Sequence, residues 1–404
     1  MKICHVVPIY LPGILPGCSK YVQDISKGLI ERKHSITVLT ANAITGRGWV
    51  DPLFGKYSSI KEETINGVGL KRLKTRWRIT STLYLLRKIA NGFLPRPIGN
   101  IVSLLSVGPY LSGLDQEFKK EGYEIIHATA FPFGLVWLVM KACQSLGIPY
   151  VCTPLVHFED PRHRNPLLWR ALQDAAAVIA CSNYEREGMI SRGISPCKIH
   201  RVPMGIRLDE WENLNGERFR RKYDLEGRKV ILFAGTKTYQ KGAIHLLEAV
   251  KRIEKNMKDS ILVAIGLPTR EWMRKRHLLK KNHLLDLGYV SEEEKRDAFG
   301  ACDLFVMPSR YDSFGIVYLE AWKCSKPVIG AKVGAIPEVI NEGKDGLLVE
   351  FGNVDQLASS ILYLLDHPEL CREMGERGRE KVMNQLNWEK NLPLIEKVYE
   401  QIRP

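Results

Sequence analysis

The sequence predicts an α/β protein built from two doubly wound, Rossmann-like domains. A chain of 404 residues is too long for one compact core and suits two domains of ordinary size. Short apolar runs alternate with segments of helical period, as expected of parallel strands buried on both faces. The alternation restarts after Pro203-Met204-Gly205.

In the first half, strands are expected at 2–8, 35–39, 125–128, 150–153, 177–180 and 199–202. A Pro- and Gly-rich loop at 9–19 precedes a helix at 20–32, the opening β-loop-α-β unit of a doubly wound sheet. In the second half, strands are expected at 230–234, 261–265, 304–307, 327–331 and 347–349. Helices are expected between them at 243–255, 291–300 and 314–323. Three more, at 354–366, 369–384 and 388–401, close the chain. The expected domains are 1–204 and 205–384, with 385–404 packing back on the first. Two such domains should face a cleft at the carboxyl ends of their strands, where ligands bind in this architecture.

Hydrophobic residues at 45% and charged residues at 26% are ordinary for a globular protein and exclude a disordered chain. Nine cysteines, odd in number and with no C-x-x-C pair, argue for reduced thiols and against a disulfide framework or zinc site. The apolar run at 3–9, broken by Pro8, is too short for a secretion signal. No stretch approaches the ~18 apolar residues of a spanning helix. A cytoplasmic location is the expectation.

The net charge of +14 is unevenly placed: residues 1–205 carry 26 Lys+Arg against 14 Asp+Glu, the remainder 33 against 31. No acid occurs from Thr64 to Leu114, where Lys71, Arg72, Lys74, Arg76 and Arg78 are interleaved with apolar and aromatic residues. Such a segment suits contact with an anionic membrane surface; a basic solvated face is the plainer reading.

The most specific stretch is Asp312-Ser313-Phe314-Gly315-Ile316-Val317-Tyr318-Leu319-Glu320. It follows an apolar strand and enters a helix, with Ser313 as the expected N-cap. Gly315 lets a ligand approach the backbone, and the amides of Gly315, Ile316 and Val317 at the helix start make an anion site. Glu320 lies ~7.5 Å further along the axis. The two carboxylates can therefore address opposite ends of a diphosphate-linked ligand, accepting charge-assisted hydrogen bonds from its hydroxyls. Alone, an acid-x7-acid pair is weak evidence.

It does not stand alone, and the set resembles the retaining glycosyltransferases of the GT-B fold, family 4, over nearly the whole chain. The family's E-x7-E signature reads here as Asp312-x7-Glu320. Phe233-Ala-Gly235-Thr236-Lys237-Thr-Tyr-Gln-Lys241-Gly242 resembles its phosphate loop. Leu287-Gly288-Tyr289-Val290 resembles its base-binding edge, and Gly334-Ala-Ile-Pro337-Glu338 the segment behind the diphosphate.

The resemblance implies a donor site of Gly17, Thr236, Lys237, Lys241, Tyr289, Val290, Asp312, Ser313, Phe314, Gly315, Ile316, Val317 and Glu320. Lys241 would neutralise the diphosphate, Glu320 hold the ribose and Asp312 the transferred sugar. His157, at the end of a strand, would contact that sugar and act with Asp312 and Lys241 in catalysis. The first domain would bind the acceptor. The donor would be UDP-, GDP- or ADP-linked and the acceptor a glycan or lipid-linked molecule, with no cofactor and no metal. Three positions depart from the family: Asp312 is one methylene shorter than the usual glutamate, Thr236 replaces the phosphate-loop arginine, and Pro16-Gly17 replaces Gly-Gly. A sugar-nucleotide epimerase of the same fold is the alternative, matched less well by the donor motifs. A basic nucleic-acid binder, suggested by the pI near 9.3, has no recognisable module behind it, and no nucleic acid partner is expected.

Overall fold

In the computed structural model, residues 1–10, 17–43, 57–65, 67–75, 95–256 and 259–403 are described. They form two units, Met1–Pro203 with Asn391–Pro404, and Met204–Lys390.

The first unit is built on eight strands: β1 (Lys2–Val6), β2 (Ser35–Ala41), β3 (Glu62–Ile65), β4 (Val68–Leu73), β5 (Ile125–Thr129), β6 (Tyr150–Thr153), β7 (Ala177–Ala180) and β8 (Ile199–Arg201). Their order is β3-β4-β2-β1-β5-β6-β7-β8, and every pairing is parallel except β3 with β4. The chain winds outward in one direction from β1 and in the other from β5, so these neighbours mark the topological switch point, where open α/β sheets bind ligands. β5, β6 and β7 are buried along their full lengths, as two-sided coverage by helices requires.

A chain of buried polar groups in this core is bonded from one to the next, because an unmet group there costs free energy. Tyr399 Oη lies 2.6 Å from His127 Nδ1 and 3.1 Å from His5 Nε2. His127 Nε2 reaches Thr153 Oγ1 at 2.7 Å, and His5 Nδ1 reaches Ser26 Oγ at 2.6 Å. Burial lowers the His5 pKa to about 3 and that of His127 well below its ordinary value, so both rings are neutral. The network joins residues from Asn391 onward, in the helix Trp388–Ile402, to β1 and β5. Gly28 makes room for this segment: a Cβ there would fall 2.1 Å from Leu392 Cδ1.

The β3–β4 hairpin corrects the reading of the basic segment. Arg72 is 4% exposed. Its guanidinium pairs with Glu63 and donates to the carbonyls of Ala41 at 3.2 Å and Tyr10 at 2.9 Å. Lys71 pairs with Glu117 at 2.8 Å and Glu121 at 2.7 Å. Period-2 alternation places these two cations on a half-buried strand, and neighbouring carboxylates that lie outside the segment compensate them. Neither is available to a membrane surface. Lys74 is exposed; Arg76 and Arg78 lie outside the described residues.

The second unit carries β9 (Lys229–Ala234), β10 (Ser260–Ile265), β11 (Leu284–Asp286), β12 (Leu304–Met307), β13 (Val328–Ala331) and β14 (Gly346–Val349). The sheet is parallel throughout, in the order β11-β10-β9-β12-β13-β14. Its switch point falls between β9 and β12, which pair Leu304 with Ile231 and Phe305 with Leu232. Among the described residues no helix is long and apolar enough to cross a membrane.

Candidate functional site

The loops leaving β9 and β12 bring together Lys241 and Asp312 of the residues singled out in the second unit. Arg310 N donates to Gln240 O at 2.7 Å, fastening one loop to the other, and Ser309 Oγ donates to Tyr311 O at 2.8 Å within its own loop. Gly242 is needed at this contact: its φ is +74°, and a Cβ would meet Pro308 O at 2.3 Å. Lys241 Nζ consequently lies 2.8 Å from Asp312 Oδ2. A cation and a carboxylate thus meet at the mouth of the sheet.

The helix Ile316–Lys323 begins there. Its N-cap is Gly315, φ +85°, and not Ser313. A left-handed residue is required to turn the chain from the Asp312 loop into the helix, and only glycine adopts that conformation without a Cβ penalty. The space is also closed, since a Cβ at Gly315 would fall 2.4 Å from the Tyr318 ring, itself held by a 2.6 Å bond from Tyr318 Oη to Met307 O. Ser313, Ile316 and Val317 are half-buried and Phe314 is buried. A helix start leaves its first amides without intrahelical acceptors, and just before them Phe314 N donates at 3.4 Å to Asp312, the carboxylate that Lys241 meets.

Glu320 is buried, 3% exposed. Lys295 Nζ lies 3.0 Å from its Oε1 and 2.9 Å from Glu292 Oε2. Burial opposes the lysine charge, but the two carboxylates outweigh it and raise its pKa. Lys295 carried no motif signal; its pairing depends on the helix Glu292–Ala301 packing against the helix of Glu320.

Lys237 overturns an expectation. Its side chain is fully buried, and Nζ lies 2.6 Å from Asp286 Oδ1, is bonded to Leu287 O and sits 5.4 Å from the centre of the Trp272 ring. It ties the phosphate-loop segment to β11 and is not free to replace the missing arginine at a diphosphate. Thr236 beside it is exposed, as is Tyr289 after β11, while Val290 is half-buried.

Gly17 and His157 belong to the first unit. Gly17 is the first residue of the helix Gly17–Glu31, and an added Cβ would meet no described atom within 4 Å. His157 follows β6 in a loop held at several points. Its N–H donates to His163 Nδ1 at 3.1 Å, with the ring centres 5.3 Å apart. Burial, then the neighbouring His157, lowers the His163 pKa to about 3; a neutral ring accepting at Nδ1 carries its proton on Nε2. Two non-glycine residues beside this loop take left-handed backbone, Ala130 at φ +83° and Leu155 at φ +53°. Such outliers persist where surrounding structure imposes them, often at binding sites.

The strongest of these restraints is Glu185, which is buried and was not singled out from the sequence. Its Oε1 accepts from Val156 N and its Oε2 from Cys181 N, each at 2.7 Å. Burial raises its pKa to about 7, with the two amides acting in the opposite direction. The Ser182-x-x-Glu185 spacing is that of a capping box, and Ser182 Oγ does accept from Glu185 N at 3.1 Å. The glutamate side chain instead bridges the ends of β6 and β7, which makes it a positioning residue for the His157 loop.

Comparison with known proteins identifies the family and the fold. Residues 17–210 match the family model described as Glycosyltransferase Family 4, and residues 215–381 match that of the Glycosyl transferases group 1. An uncharacterized glycosyltransferase of Methanocaldococcus jannaschii is 30% identical over 298 residues, 70% of this chain and 77% of that protein. A GDP-mannose-dependent alpha-(1-6)-phosphatidylinositol monomannoside mannosyltransferase of Mycolicibacterium smegmatis is 27% identical over 234 residues, 55% of this chain and 61% of that one. In structure, Anabaena HepE, solved in complex with UDP and glucose, matches with a TM-score of 0.74 at 16% identity over 99% of this chain and 100% of that one. The chain belongs to the group 1, family 4 glycosyltransferases, and its two parallel-sheet units are of the GT-B fold.

Proposed function

We propose that this protein is a retaining, metal-independent glycosyltransferase that moves a hexosyl group from a nucleotide-diphosphate sugar to a lipid-linked or membrane-associated acceptor. The observation that carries the donor reading is the Lys241–Asp312 pair at the start of the helix Ile316–Lys323, at the switch point of the second sheet. Lys241 and the amides of Ile316 and Val317 supply positive charge where a leaving diphosphate gains negative charge, and donors already in place there count most. Asp312 suits hydroxyls of the sugar, and buried Glu320 suits those of the ribose. His157 would contact the sugar as positive charge develops at its anomeric carbon.

In this reading the bond from the anomeric carbon to the diphosphate oxygen breaks. The released oxygen takes the proton of the acceptor hydroxyl, and the new glycosidic bond forms on the same face. The UDP and glucose in HepE support a nucleotide-sugar donor. The relative named for a phosphatidylinositol monomannoside supports an acceptor carried by a lipid, and with it a peripheral location at the cytoplasmic face of a membrane.

Calorimetry with UDP-, GDP- and ADP-sugars tests the donor. Binding of one class is expected, with transfer to membrane extract unaffected by a chelator and the donor's anomeric configuration kept in the product. Absence of binding across the panel removes the donor reading, and an inverted product removes the retaining mechanism.

A further inference from the structure

A cavity of about 950 Å³ opens in the first unit, beside the His157 loop. Phe158 forms part of its wall, and its ring stacks on Trp169 at 6.2 Å between centres and an interplanar angle of 19°. Trp169 Nε1 donates to His163 O at 2.9 Å, so the cavity wall is bonded to the residue whose ring accepts from the His157 amide.

Three arginines line this cavity, Arg164, Arg170 and Arg192, and among the described residues no carboxylate does. Arg170 pairs with Asp174 at 2.9 Å behind the wall. Arg164 and Arg192 have no acidic partner among the described residues. The Arg192 guanidinium lies 4.4 Å from the Phe158 ring centre and 5.4 Å from that of Trp169, which fixes the fork of donors over the aromatic shelf. A fourth cation is close, since Lys198 Nζ bonds at 2.8 Å to the carbonyl of Gln173, another lining residue.

Another part of the lining comes from one helix and is partly apolar, with Pro97 and Ile101 beside Asn100. The helix Arg96–Leu105 contributes Ile101, 41% exposed, and one turn earlier carries Ile98, 48% exposed. Residues three apart share a helix face. A net-cationic hollow with an aromatic floor and an exposed apolar rim is complementary to a ligand with an anionic head and a hydrocarbon tail, more than to either component alone.

We propose that this cavity is a subsite for the phosphate of an anionic amphiphile, with Arg164, Arg170 and Arg192 holding the phosphate and Ile98 and Ile101 meeting the hydrocarbon. The inference deepens the acceptor reading above and rests on it for its functional meaning: a lipid phosphate seated here is anchored in the same wall that bonds to the His157 loop. Arginine suits the role because its planar fork gives paired hydrogen bonds to phosphate oxygens.

The test uses the full-length protein and calorimetry with farnesyl monophosphate, farnesol and inorganic phosphate. Farnesyl monophosphate should bind at least about tenfold more tightly than either part alone, as when charge-assisted bonds and apolar burial add. The variant R164Q/R170Q, altering two exposed side chains, should bind it roughly tenfold to a hundredfold more weakly, on the scale of lost charge-assisted hydrogen bonds. Ile101→Ser should weaken farnesyl monophosphate and leave inorganic phosphate unchanged. Equal affinity for farnesol and its phosphate, equal affinity for inorganic phosphate and the amphiphile, or parental affinity in R164Q/R170Q overturns the proposal. Nucleotide-sugar binding measured on the same samples separates the two readings. Its loss in the parent with amphiphile binding intact sinks the donor reading and leaves the subsite standing; the reverse result sinks the subsite alone.

Discussion

Replacing Glu185 with Gln tests how the His157 loop is held, because the substitution keeps the shape and removes both the titration and one acceptor. In the parent, two carboxyl oxygens each accept a backbone N–H at 2.7 Å. The Gln amide nitrogen cannot accept, so one buried N–H loses its partner, at a cost of about 1–3 kcal/mol. The pH dependence is the sharper signature. Burial raises the Glu185 pKa from its ordinary 4.5 to about 7. Below pH ~4.5 the carboxyl is protonated in both folded and unfolded chains and contributes no pH dependence. As pH rises through that value the unfolded chain ionises first, and the parent loses stability until the folded carboxyl also ionises near 7. The loss is about 3 kcal/mol, from ~2.5 units at 1.36 kcal/mol each. The Gln side chain does not titrate. The stability gap between parent and Glu185→Gln should therefore be largest near pH 5 and narrow by about 2–3 kcal/mol by pH 8. Urea unfolding of both proteins at pH 5, 6, 7 and 8 reads the gap directly, with other titrating groups cancelling in the difference. A gap that is constant across this range, or that widens with pH, refutes the reasoning.

Three further outcomes follow from the second unit. Lys241→Ala should weaken nucleotide-sugar binding by roughly tenfold to a hundredfold, the scale of a charge-assisted hydrogen bond, with little change in unfolding temperature; calorimetry beside a thermal melt checks both. Lys237→Met should behave in the opposite way, because it takes a buried cation from Asp286 and leaves that carboxylate with Arg276 Nη1 and Trp272 Nε1, each at 3.0 Å. A stability loss of about 1–3 kcal/mol is expected in urea unfolding, and unchanged stability with weakened donor binding would return Lys237 to the donor site. Gly315→Ala places a Cβ in the left-handed region and 2.4 Å from the Tyr318 ring, so a loss of about 2–4 kcal/mol is expected from backbone strain and overpacking together. A melt matching the parent would show that the Asp312 loop has slack to absorb it.

Much of the fold was legible because it rests on local signals. Leu304–Met307 and Ala177–Ala180 are short apolar runs between breakers, and parallel strands buried on both faces must read so. The β3–β4 hairpin was missed because Lys71 and Arg72 read as surface cations; their partners Glu117, Glu121 and Glu63 lie outside the acid-free stretch. β11 was missed because Leu284–Asp286 is only three residues long and half-buried throughout, too short for a period to appear.

The donor motifs show the same division. Order and spacing along the chain determined that Lys241, Asp312, Gly315 and Glu320 belong to one apparatus, since each lies on a loop or helix start whose place is set by neighbouring strands. Which side chains are available was decided by tertiary structure alone. Lys237 and Lys241 sit four residues apart and look equivalent as letters, yet one is spent on Asp286 inside the fold and the other meets Asp312 at the mouth of the sheet. Glu185 and Lys295 carried no catalytic motif and acquire their roles only through the strand ends and helix that pack against them. Local sequence determines which backbone element a residue occupies; a charge's partner comes from segments distant in the chain, and only packing brings them within reach.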